Sequence, residues 1–251
     1  MTRLTGREPI EPHPVLARFY REEAQRSSFV RRLFNETAPY YDEINGIFSL
    51  GSGARYRRRR LVNAGLQRGQ RVIDVAVGTG LVAREAVAIT GSPRDVVGVD
   101  VSEAMLAVAR QNLGIPLVQG AAEDLPLGDE CADFVSMGFA LRHVSDLIGT
   151  FNEFHRVLRH GGTALILEIG APSHPLGRKL LGTYFARIIP FCYGRTLSKA
   201  PTQRLMEYYW ETIDNCVPAP VILEAMRAAG FQDAQCHVEL DIFRSYVGHK
   251  R

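Results

Sequence analysis

The sequence predicts an α/β fold in which a mostly parallel, doubly wound sheet carries helices on both faces. From residue 70 onward, short apolar runs rich in β-branched residues alternate with segments of helical length. This alternation is typical of a parallel sheet whose strands are joined by helical crossovers. The strand segments are almost continuously apolar, as expected where both faces of a sheet are buried. With 251 residues, of which 46% are hydrophobic, the chain suits a single domain spanning residues 1–251.

The predicted elements follow one another in a regular order. Residues 1–60 are expected to form an N-terminal helical segment, with a loose tail at residues 1–14 and a first helix at residues 15–34. Strands are predicted at residues 71–76, 95–100, 116–119, 132–137 and 163–168, with two more within residues 235–248. Helices are predicted at residues 81–90, 102–111, 145–159 and 221–229, with Ser102 as an N-cap and with Gly161, Gly162 and Gly230 as terminators. Residues 172–200 interrupt the rhythm and are interpreted as an inserted lid over the sheet edge.

Charge and cysteine content exclude several classes of protein. The net charge is +5 over residues 1–60, −5 over residues 61–171 and +3 over residues 172–251. The single basic run at residues 57–60 could contact phosphates or an anionic membrane, or be a solvated helix face; no nucleic-acid module surrounds it. No stretch approaches the roughly 18–20 apolar residues that span a bilayer.

The four cysteines are scattered along the chain. Their spacing argues against a disulfide scaffold and against a zinc site, and no metal is expected; the cysteines are Cys131, Cys192, Cys216 and Cys236. Without a recognisable signal peptide, the sequence favours a cytoplasmic protein, with peripheral contact to a membrane as an open alternative.

A glycine-containing turn follows the first predicted strand and precedes the first predicted helix. Glycines at positions 78 and 80 allow a ligand to approach the backbone, and the helix N-terminus offers free N–H groups. The next strand ends at Asp100, twenty positions after Gly80, where a carboxylate can accept both hydroxyls of a ribose. A dinucleotide is compatible with this spacing. The leading acid Asp74 and the core Gly78-Thr79-Gly80 favour S-adenosylmethionine, whose ammonium group Asp74 can orient.

A second group of residues follows the third predicted strand. The small side chains of Ala121 and Ala122 can flank an adenine, and Glu123 can accept its exocyclic amine. Ligand crevices in doubly wound folds lie at this edge of the sheet. The complete set of predicted cofactor-binding residues is Asp74, Ala76, Gly78, Thr79, Gly80, Asp100, Val101, Met105, Ala121, Ala122, Glu123 and Gly138.

Several longer motifs accompany the turn. They read Phe34-x-x-x-Ala38-x-x-Tyr41-Asp42-x-x-Asn45-x-x-x-Ser49-x-Gly51, Phe139-Ala-Leu-Arg142-His143-Val144, Arg156-Val-Leu-Arg-His-Gly-Gly162 and Leu167-Glu168-x-x-x-Pro172. With the turn at residues 74–80, they resemble the ubiquinone/menaquinone biosynthesis C-methyltransferase family, a branch of the class I S-adenosylmethionine-dependent methyltransferases. The resemblance covers residues 34–251.

This resemblance implies a Rossmann-like, seven-stranded sheet whose last strand is antiparallel. It also implies methyl transfer to a ring carbon of a prenylated quinol, with cofactor contacts from Thr79, Asp100, Ala121 and Ala122. Gly138 stands where the family often has a cofactor-contacting Ser, and His143 where Asn is usual. Val77 stands where Gly is usual, and Gly53-Ala54-Arg55-Tyr56 where His-Arg-x-Trp is common. The acceptor could therefore be another aromatic or lipophilic molecule.

Methylation of a ring carbon requires electron density from a neighbouring phenolate. Arg142, which stays protonated, could stabilise that oxyanion, and His143 could accept a proton. Tyr41 and Asp42 are second candidates if the N-terminal segment folds over the site. The alternatives are that Arg142 pairs with a structural carboxylate and that His143 caps the following helix. Glu168 could orient the substrate or hold Arg142.

The lid is expected to contact the acceptor through Phe185 and Ile188, and its basic residues could face an anionic membrane. The expected partner is a small lipophilic aromatic acceptor, and no nucleic acid is expected. Oligomeric state stays open, with a homodimer as one option. Other functions consistent with the sequence are O- or N-methylation of a secondary metabolite and a cofactor-binding module without activity. A nicotinamide-dependent oxidoreductase is a more distant alternative.

Overall fold

The computed structural model describes residues 9–49, 51–189, 191 and 199–251. Residues 1–8 of the predicted tail, Cys192 and residues 193–198 of the predicted lid lie outside this part of the chain.

Seven strands form one sheet in the order β3-β2-β1-β4-β5-β7-β6. The strands are β1 (Val72–Val75), β2 (Val96–Asp100), β3 (Leu117–Gln119), β4 (Ala132–Gly138), β5 (Leu158–Ile169), β6 (Gln232–Glu239) and β7 (Phe243–His249). The first five strands are parallel, and β7 is antiparallel to both of its neighbours. The predicted α/β fold class is therefore confirmed, including its antiparallel last strand.

Helices cover both faces of this sheet and its carboxyl edge. They are α1 (Arg26–Thr37), α2 (Tyr41–Ser49), α3 (Gly53–Asn63), α4 (Leu81–Thr90), α5 (Glu103–Asn112), α6 (Leu147–Val157), α7 (Pro175–Thr183), α8 (Lys199–Asp214) and α9 (Ala219–Ala228). A π-helical turn, Tyr184–Ile188, continues α7, and a 3-10 turn, Leu141–His143, follows β4.

The hydrophobic core has three parts. On one face of the sheet, Phe151 of α6 and Met226 of α9 pack against strand residues such as Val135. On the other face, Leu61 of α3 and Ala86 of α4 belong to a second cluster. The third cluster joins α1, the π-helical turn and α8, and its largest members include Phe29, Phe185 and Tyr208. We call this third cluster the cap core. It is formed by the N-terminal segment before β1 and by the segment between β5 and β6.

The register places the ends of adjacent strands at one edge. Val75, the last residue of β1, pairs with Val99 of β2 and with Met137 of β4. Strand order reverses between β1 and β4, since β2 and β3 continue on one side and β5 on the other. Ligands of doubly wound folds bind at such a switch point, outside the carboxyl ends of the strands.

Two of the predicted boundaries are wrong. The first α-helix begins at Arg26 and not at residue 15, because residues 15–22 form irregular turns anchored by the buried Leu16 and Tyr20. Gly161 and Gly162 do not end a helix; α6 ends at Val157, and β5 runs through both glycines. Backbone bonds to Lys250 hold this part of β5, since Gly161 N donates to Lys250 O at 2.7 Å.

Candidate functional site

The turn after β1 is held open by its backbone conformation. Ala76, Gly78 and Gly80 have φ values of 54°, 55° and 93°, in the left-handed region that favours glycine. A Cβ added to Gly80 would lie 2.4 Å from the Leu113 side chain, so only glycine fits there without a shift. At Gly78 the space around an added Cβ is open. The turn therefore packs through Gly80 and presents its backbone at Gly78.

Asp100 lies opposite this turn at the end of β2. Its carboxylate is 7% exposed and accepts hydrogen bonds from Gly78 N and Ser102 N, both at 2.8 Å. Burial raises the pKa of Asp100 to about 6. A carboxylate offers about four acceptor positions, so two stay available for a ligand diol after the backbone bonds are made.

A cavity of about 150 Å³, the first cavity, opens between the turn, Asp100 and the N-terminal helices. Nine of the twelve predicted cofactor residues line it: Ala76, Gly78, Asp100, Val101, Met105, Ala121, Ala122, Glu123 and Gly138. The structure thus brings together residues from the ends of β1, β2 and β4 and from the segment after β3.

Asp74, Thr79 and Gly80 do not line the first cavity. Asp74 is buried beneath the turn, where its Oδ1 accepts a hydrogen bond from Ser136 Oγ at 2.6 Å. Burial raises the pKa of Asp74 to about 7. Thr79 is also buried, and its hydroxyl donates to Asp42 of α2. These residues fix the turn and connect it to the N-terminal segment.

A second cavity of about 260 Å³ lies beside the first. Its walls are mainly apolar or aromatic and include Ile44, Tyr56, Ile169, Phe185, Met206, Tyr209, Leu240 and Phe243. Four arginines also line it: Arg55, Arg57, Arg59 and Arg142. Tyr41 and Phe139 line both cavities, so these two rings stand at the junction.

Phe139 reaches the junction through an uncommon backbone conformation. Its φ of 62° is in the left-handed region, which costs a bulky side chain about 1–3 kcal/mol. The strand pairing helps to hold it there, because Phe139 N donates to Leu167 O at 2.7 Å. Strain of this kind is retained mostly at functional sites.

Arg142 lies in a tight, fully buried network. Its Nη1 donates to Glu168 Oε2 at 2.6 Å and to Phe139 O at 2.8 Å, and its Nε donates to Thr212 Oγ1 at 3.2 Å. Although burial opposes the charge, the Glu168 carboxylate raises the pKa of Arg142. The alternative in which Arg142 pairs with a structural carboxylate describes this geometry, and Glu168 holds the arginine.

His143 lines the first cavity and is stacked against two tyrosines. Its ring centroid is 5.3 Å from Tyr208 and 5.8 Å from Tyr209, and its Nδ1 is 3.3 Å from the Tyr208 hydroxyl. Within the described residues, its Nε2 has no hydrogen-bond partner. Burial and the charge of Arg142 lower the pKa of His143 well below its usual value, so the ring is neutral.

The alternative that His143 caps the following helix is wrong. Asp146 caps α6 instead, and its side chain accepts from Ile148 N at 3.0 Å and from Gly149 N at 2.9 Å. Ser and Asp are both common N-cap residues, so Ser145 and Asp146 were better candidates for this cap than His143.

The remaining predicted site residues are divided between the cavities and their surroundings. Tyr41 stands at the junction, where its hydroxyl accepts a hydrogen bond from the Tyr209 hydroxyl at 3.0 Å. Phe185 is 1% exposed and lines the second cavity, whereas Ile188 is 47% exposed on the outer surface. Phe185 and Ile188 therefore cannot act together in one acceptor contact. Asp42 and Glu168 lie outside both cavity walls and hold Thr79 and Arg142.

Sequence reasoning missed two groups of lining residues. Ser27, Val30 and Phe34 of α1 cover the first cavity, and Met206 and Tyr209 of α8 close the second. The spacing of three between Met206 and Tyr209 is a helical signal, but it lay outside every recognised motif.

Comparison with known proteins identifies the chain. The model of the ubiE/COQ5 methyltransferase family matches residues 21–242. The chain is similar to a demethylmenaquinone methyltransferase of Chlorobaculum parvum, with 34% identity over 215 residues, 83% of this chain and 86% of that protein. It is also similar to a ubiquinone/menaquinone biosynthesis C-methyltransferase UbiE of a Geobacter species, with 32% identity over 237 residues, 90% of this chain and 98% of that protein. The chain belongs to the ubiE/COQ5 methyltransferase family.

The same fold occurs in a crystal structure from Thermotoga maritima, an S-adenosylmethionine-dependent methyltransferase described as a possible histamine N-methyltransferase. The TM-score is 0.62 at 20% identity, covering 88% of this chain and 99% of the other. This member of the ubiE/COQ5 family is an S-adenosyl-L-methionine-dependent methyltransferase, as the sequence predicted. The prediction that its cofactor is S-adenosyl-L-methionine is therefore confirmed.

Two kinds of feature are absent from the residues that the structure describes. None of their helices is long and apolar enough to cross a membrane. No group of three His, Cys, Asp or Glu side chains in the described ranges could hold a metal ion.

Proposed function

We propose that this enzyme transfers the methyl group of S-adenosylmethionine to a ring carbon of a prenylated quinol. The observation that carries the proposal is the junction of the two cavities at Tyr41 and Phe139. One cavity has the chemistry for a nucleoside, and the other has aromatic and aliphatic walls for a flat, greasy ring. The names of the relatives, which refer to demethylmenaquinone, ubiquinone and menaquinone, support the same acceptor class.

The first cavity fits S-adenosylmethionine by its donors and acceptors. We assign the ribose hydroxyls to Asp100, which has acceptor capacity left, and the adenine to the walls formed by Ala121, Ala122 and Glu123. Val101 and Met105 supply apolar contact, Gly78 lets the ligand approach the backbone, and Gly138 forms part of the wall. Asp74, Thr79 and Gly80 act indirectly, because they shape the turn.

The chain's own contribution to methyl transfer is alignment and exclusion of water. The cofactor supplies an electrophilic methyl group. Alignment of two reactants in adjoining cavities can lower the barrier by about 7–11 kcal/mol. We assign the aromatic stacking of the acceptor to Phe139 and Tyr209, and the orientation of a ring hydroxyl to Tyr41. Arg142 and Glu168 hold Tyr209 in place, with the guanidinium 4.9 Å from its ring centroid.

His143 is the proposed acceptor of the ring proton that is lost after methylation. The neutral ring has a buried Nε2 with no partner within the described residues, and the residue lines the cavity beside the junction. A weak base is sufficient here, since loss of that proton restores aromaticity. Its low pKa therefore agrees with this role.

Residues 172–200 are the proposed lid and membrane contact. Leu176, Leu180 and Ile188 are exposed at intervals of four or eight along α7 and its π-helical turn, and Phe191 follows. Leu240, 84% exposed, borders both this surface and the second cavity. Lys179 and Arg187 add positive charge suited to anionic lipids. An acceptor with a long prenyl chain would enter the second cavity from this side.

The test is direct methylation of a reduced naphthoquinol with a short prenyl chain. Purified protein is incubated with methyl-labelled S-adenosylmethionine, and the product is analysed by mass spectrometry and NMR. We expect a new methyl group on the ring carbon. The oxidised quinone should not react, because it has no hydroxyl to ionise. A methyl ether, an N-methyl product from an amine acceptor, or no product at saturating quinol would contradict the proposal.

A further inference from the structure

The second cavity contains a half-buried guanidinium, that of Arg57, which has no direct partner among the described residues. Of its four arginines, Arg142 is balanced by Glu168 at 2.6 Å, and Arg59 forms an ion pair with Glu239. Arg55 is exposed. Arg57 is half-buried and makes no ion pair or hydrogen bond with any residue that the structure describes. Among the described residues that line this cavity, Arg57 is therefore the half-buried arginine with donors to spare, whereas Arg55, which also makes no ion pair there, is open to solvent.

Arg57 is also poorly solvated. Its Nε is buried and has no hydrogen-bond partner among the described residues, and burial lowers the pKa of the guanidinium. The ionisable groups that act on it are Glu85, Tyr41, Asp42 and Arg84, and the buried carboxylate of Asp74 is also coupled to its charge without forming an ion pair with it. Two of these already have partners, because Glu85 is 3.8 Å from Arg58 and Asp42 accepts from Thr79.

A guanidinium keeps its charge even when it loses water, and its donors then need an anionic or polar partner. Burying such a group in a mainly apolar wall is unfavourable unless a ligand accepts hydrogen bonds from its unpaired donors. Tyr41, which lies within the electrostatic reach of Arg57, stands at the junction where the acceptor ring must sit. The missing partner is thus an oxygen of the bound acceptor.

We propose that Arg57 holds the ionised ring oxygen of the acceptor during methyl transfer, and that Arg142 does not. This assignment rests on the proposed quinol acceptor. The ring hydroxyl loses its proton to solvent as the acceptor enters the cavity, and the oxygen lone pair then moves into the ring. The adjacent ring carbon forms a bond to the methyl carbon while the carbon–sulfur bond breaks, its electron pair staying on sulfur as S-adenosylhomocysteine. The ring carbon then loses its proton to His143, which restores the aromatic ring.

The kinetic test compares Arg57→Gln and Arg57→Lys with a neighbour on the same helix. Arg58 is the matched control, because its side chain is 53% exposed and does not line the second cavity. Loss of one oxyanion donor typically lowers kcat by about 10²–10³. We expect that loss for Arg57→Gln at pH 7, with KM for S-adenosylmethionine unchanged, partial recovery in Arg57→Lys, and wild-type rates in Arg58→Gln.

Two further readouts separate chemistry from structure. The defect of Arg57→Gln should shrink as pH rises towards the acceptor's own hydroxyl pKa, and added guanidinium ion should restore part of the rate. Equal loss at every pH, or an equal defect in Arg58→Gln, would overturn the assignment. Thermal unfolding of each variant reports whether the fold is intact.

A binding experiment distinguishes failure of this assignment from failure of the proposed function. A naphthol with its reactive ring carbon blocked is titrated by absorbance in the presence of saturating protein and S-adenosylhomocysteine. Wild-type protein should lower the apparent naphthol pKa by at least one unit, and Arg57→Gln should not. If the wild type binds the naphthol without this shift, Arg57 is not the oxyanion partner, whatever the enzyme methylates. If the shift is present but quinol is not methylated, the proposed acceptor is wrong and the anion site stands.

Discussion

Asp100 combines two properties that make cofactor binding depend on pH. Its carboxylate is nearly buried, which raises its pKa to about 6, and it already accepts two backbone N–H groups. The ionised form is the better acceptor for ribose hydroxyls. Above pH 6 the free protein is ready to bind, whereas below pH 6 a proton must be released first.

We therefore expect the affinity for S-adenosylmethionine to be constant from pH 7 to 8 and to fall by up to about tenfold per pH unit below 6. Asp100→Asn should weaken binding at pH 7.5 by about 10- to 100-fold, since a hydrogen bond to a charged group is worth about 1.5–3 kcal/mol. The variant should also lose the pH dependence. Titration calorimetry between pH 5 and 8 measures both effects, and a wild-type affinity that does not change with pH would contradict the assignment.

The buried pair of Arg142 and Glu168 is a second feature at this scale. Glu168→Gln leaves a fully buried guanidinium without its counter-charge, so we expect a loss of about 3–5 kcal/mol in the free energy of unfolding. The double variant Arg142→Met, Glu168→Leu should lose less free energy of unfolding than the sum of the losses caused by Arg142→Met alone and Glu168→Leu alone. Urea denaturation measures these values. The matched control is the exposed pair Arg178 and Asp214, where Arg178→Met should cost about 0–1 kcal/mol. Additive losses at the buried pair would contradict this prediction.

Individual site residues differ in how well the sequence predicts them. Asp100 and Ala121 could be predicted from the sequence because they lie at or just after the ends of β2 and β3. The carboxyl ends of parallel strands meet at one edge of the sheet. The charge balance of Arg142 could not be predicted with certainty, since Glu168 is 26 positions away and only the β4–β5 pairing brings them together. The cavity-facing position of Arg57 depends on the rotation of α3, which a run of four arginines does not reveal.

At the scale of elements, α7 and its π-helical turn present two different faces. Phe185 points into the cap core and lines the second cavity, whereas Leu180 and Ile188 are 63% and 47% exposed. The inner face should therefore support the fold, and the outer face should support membrane contact. Substitutions on the two faces separate these roles.

The double variant Leu180→Ser, Ile188→Ser should bind anionic vesicles less well because it loses apolar area next to Lys179 and Arg187. Its melting temperature and its rate with a short-chain, water-soluble acceptor should match the wild type. Phe185→Ser should instead lose about 3–5 kcal/mol of stability, by analogy with buried Phe-to-Ala changes. Vesicle co-sedimentation and thermal unfolding measure these outcomes. Undiminished vesicle binding by the double variant would remove the outer face from membrane contact.

Element prediction succeeded where local periodicity and sheet order coincide. The helix at residues 81–90 has its predicted bounds, and Ser102 caps α5 by accepting from Met105 N at 3.1 Å. It was weaker in the segments that form the cap core. Leu205 and Met206 of α8 pack against α1, about 180 positions earlier, so the burial that stabilises α8 is set by tertiary contact. A helix spanning Lys199–Asp214 had no motif of its own and was not recognised.

At the scale of the whole molecule, the N-terminal segment is bonded to the 3-10 turn at Leu141–His143 and the residue that follows it. Arg26 is fully buried and donates to Val144 O at 3.0 Å and to His13 O at 2.7 Å. Residues 9–20 are thereby tied to the turn that carries Arg142 and His143. The helix that Arg26 begins, α1, covers the first cavity through Ser27, Val30 and Phe34. Cofactor binding and the order of α1 should therefore be coupled.

S-Adenosylmethionine is expected to protect α1 from hydrogen exchange. A ligand at 100 times its dissociation constant stabilises the native state by about 2.7 kcal/mol, and groups that touch the ligand receive this protection first. We expect slower exchange in residues 26–37 and in residues 76–82, and little change in β6 and β7, which lie at the far side of the sheet. Asp100→Asn at the same ligand concentration is the control and should show weaker protection in both segments. Hydrogen exchange measured by mass spectrometry tests this, and protection confined to the β1–α4 turn would show that α1 is not part of the cofactor site.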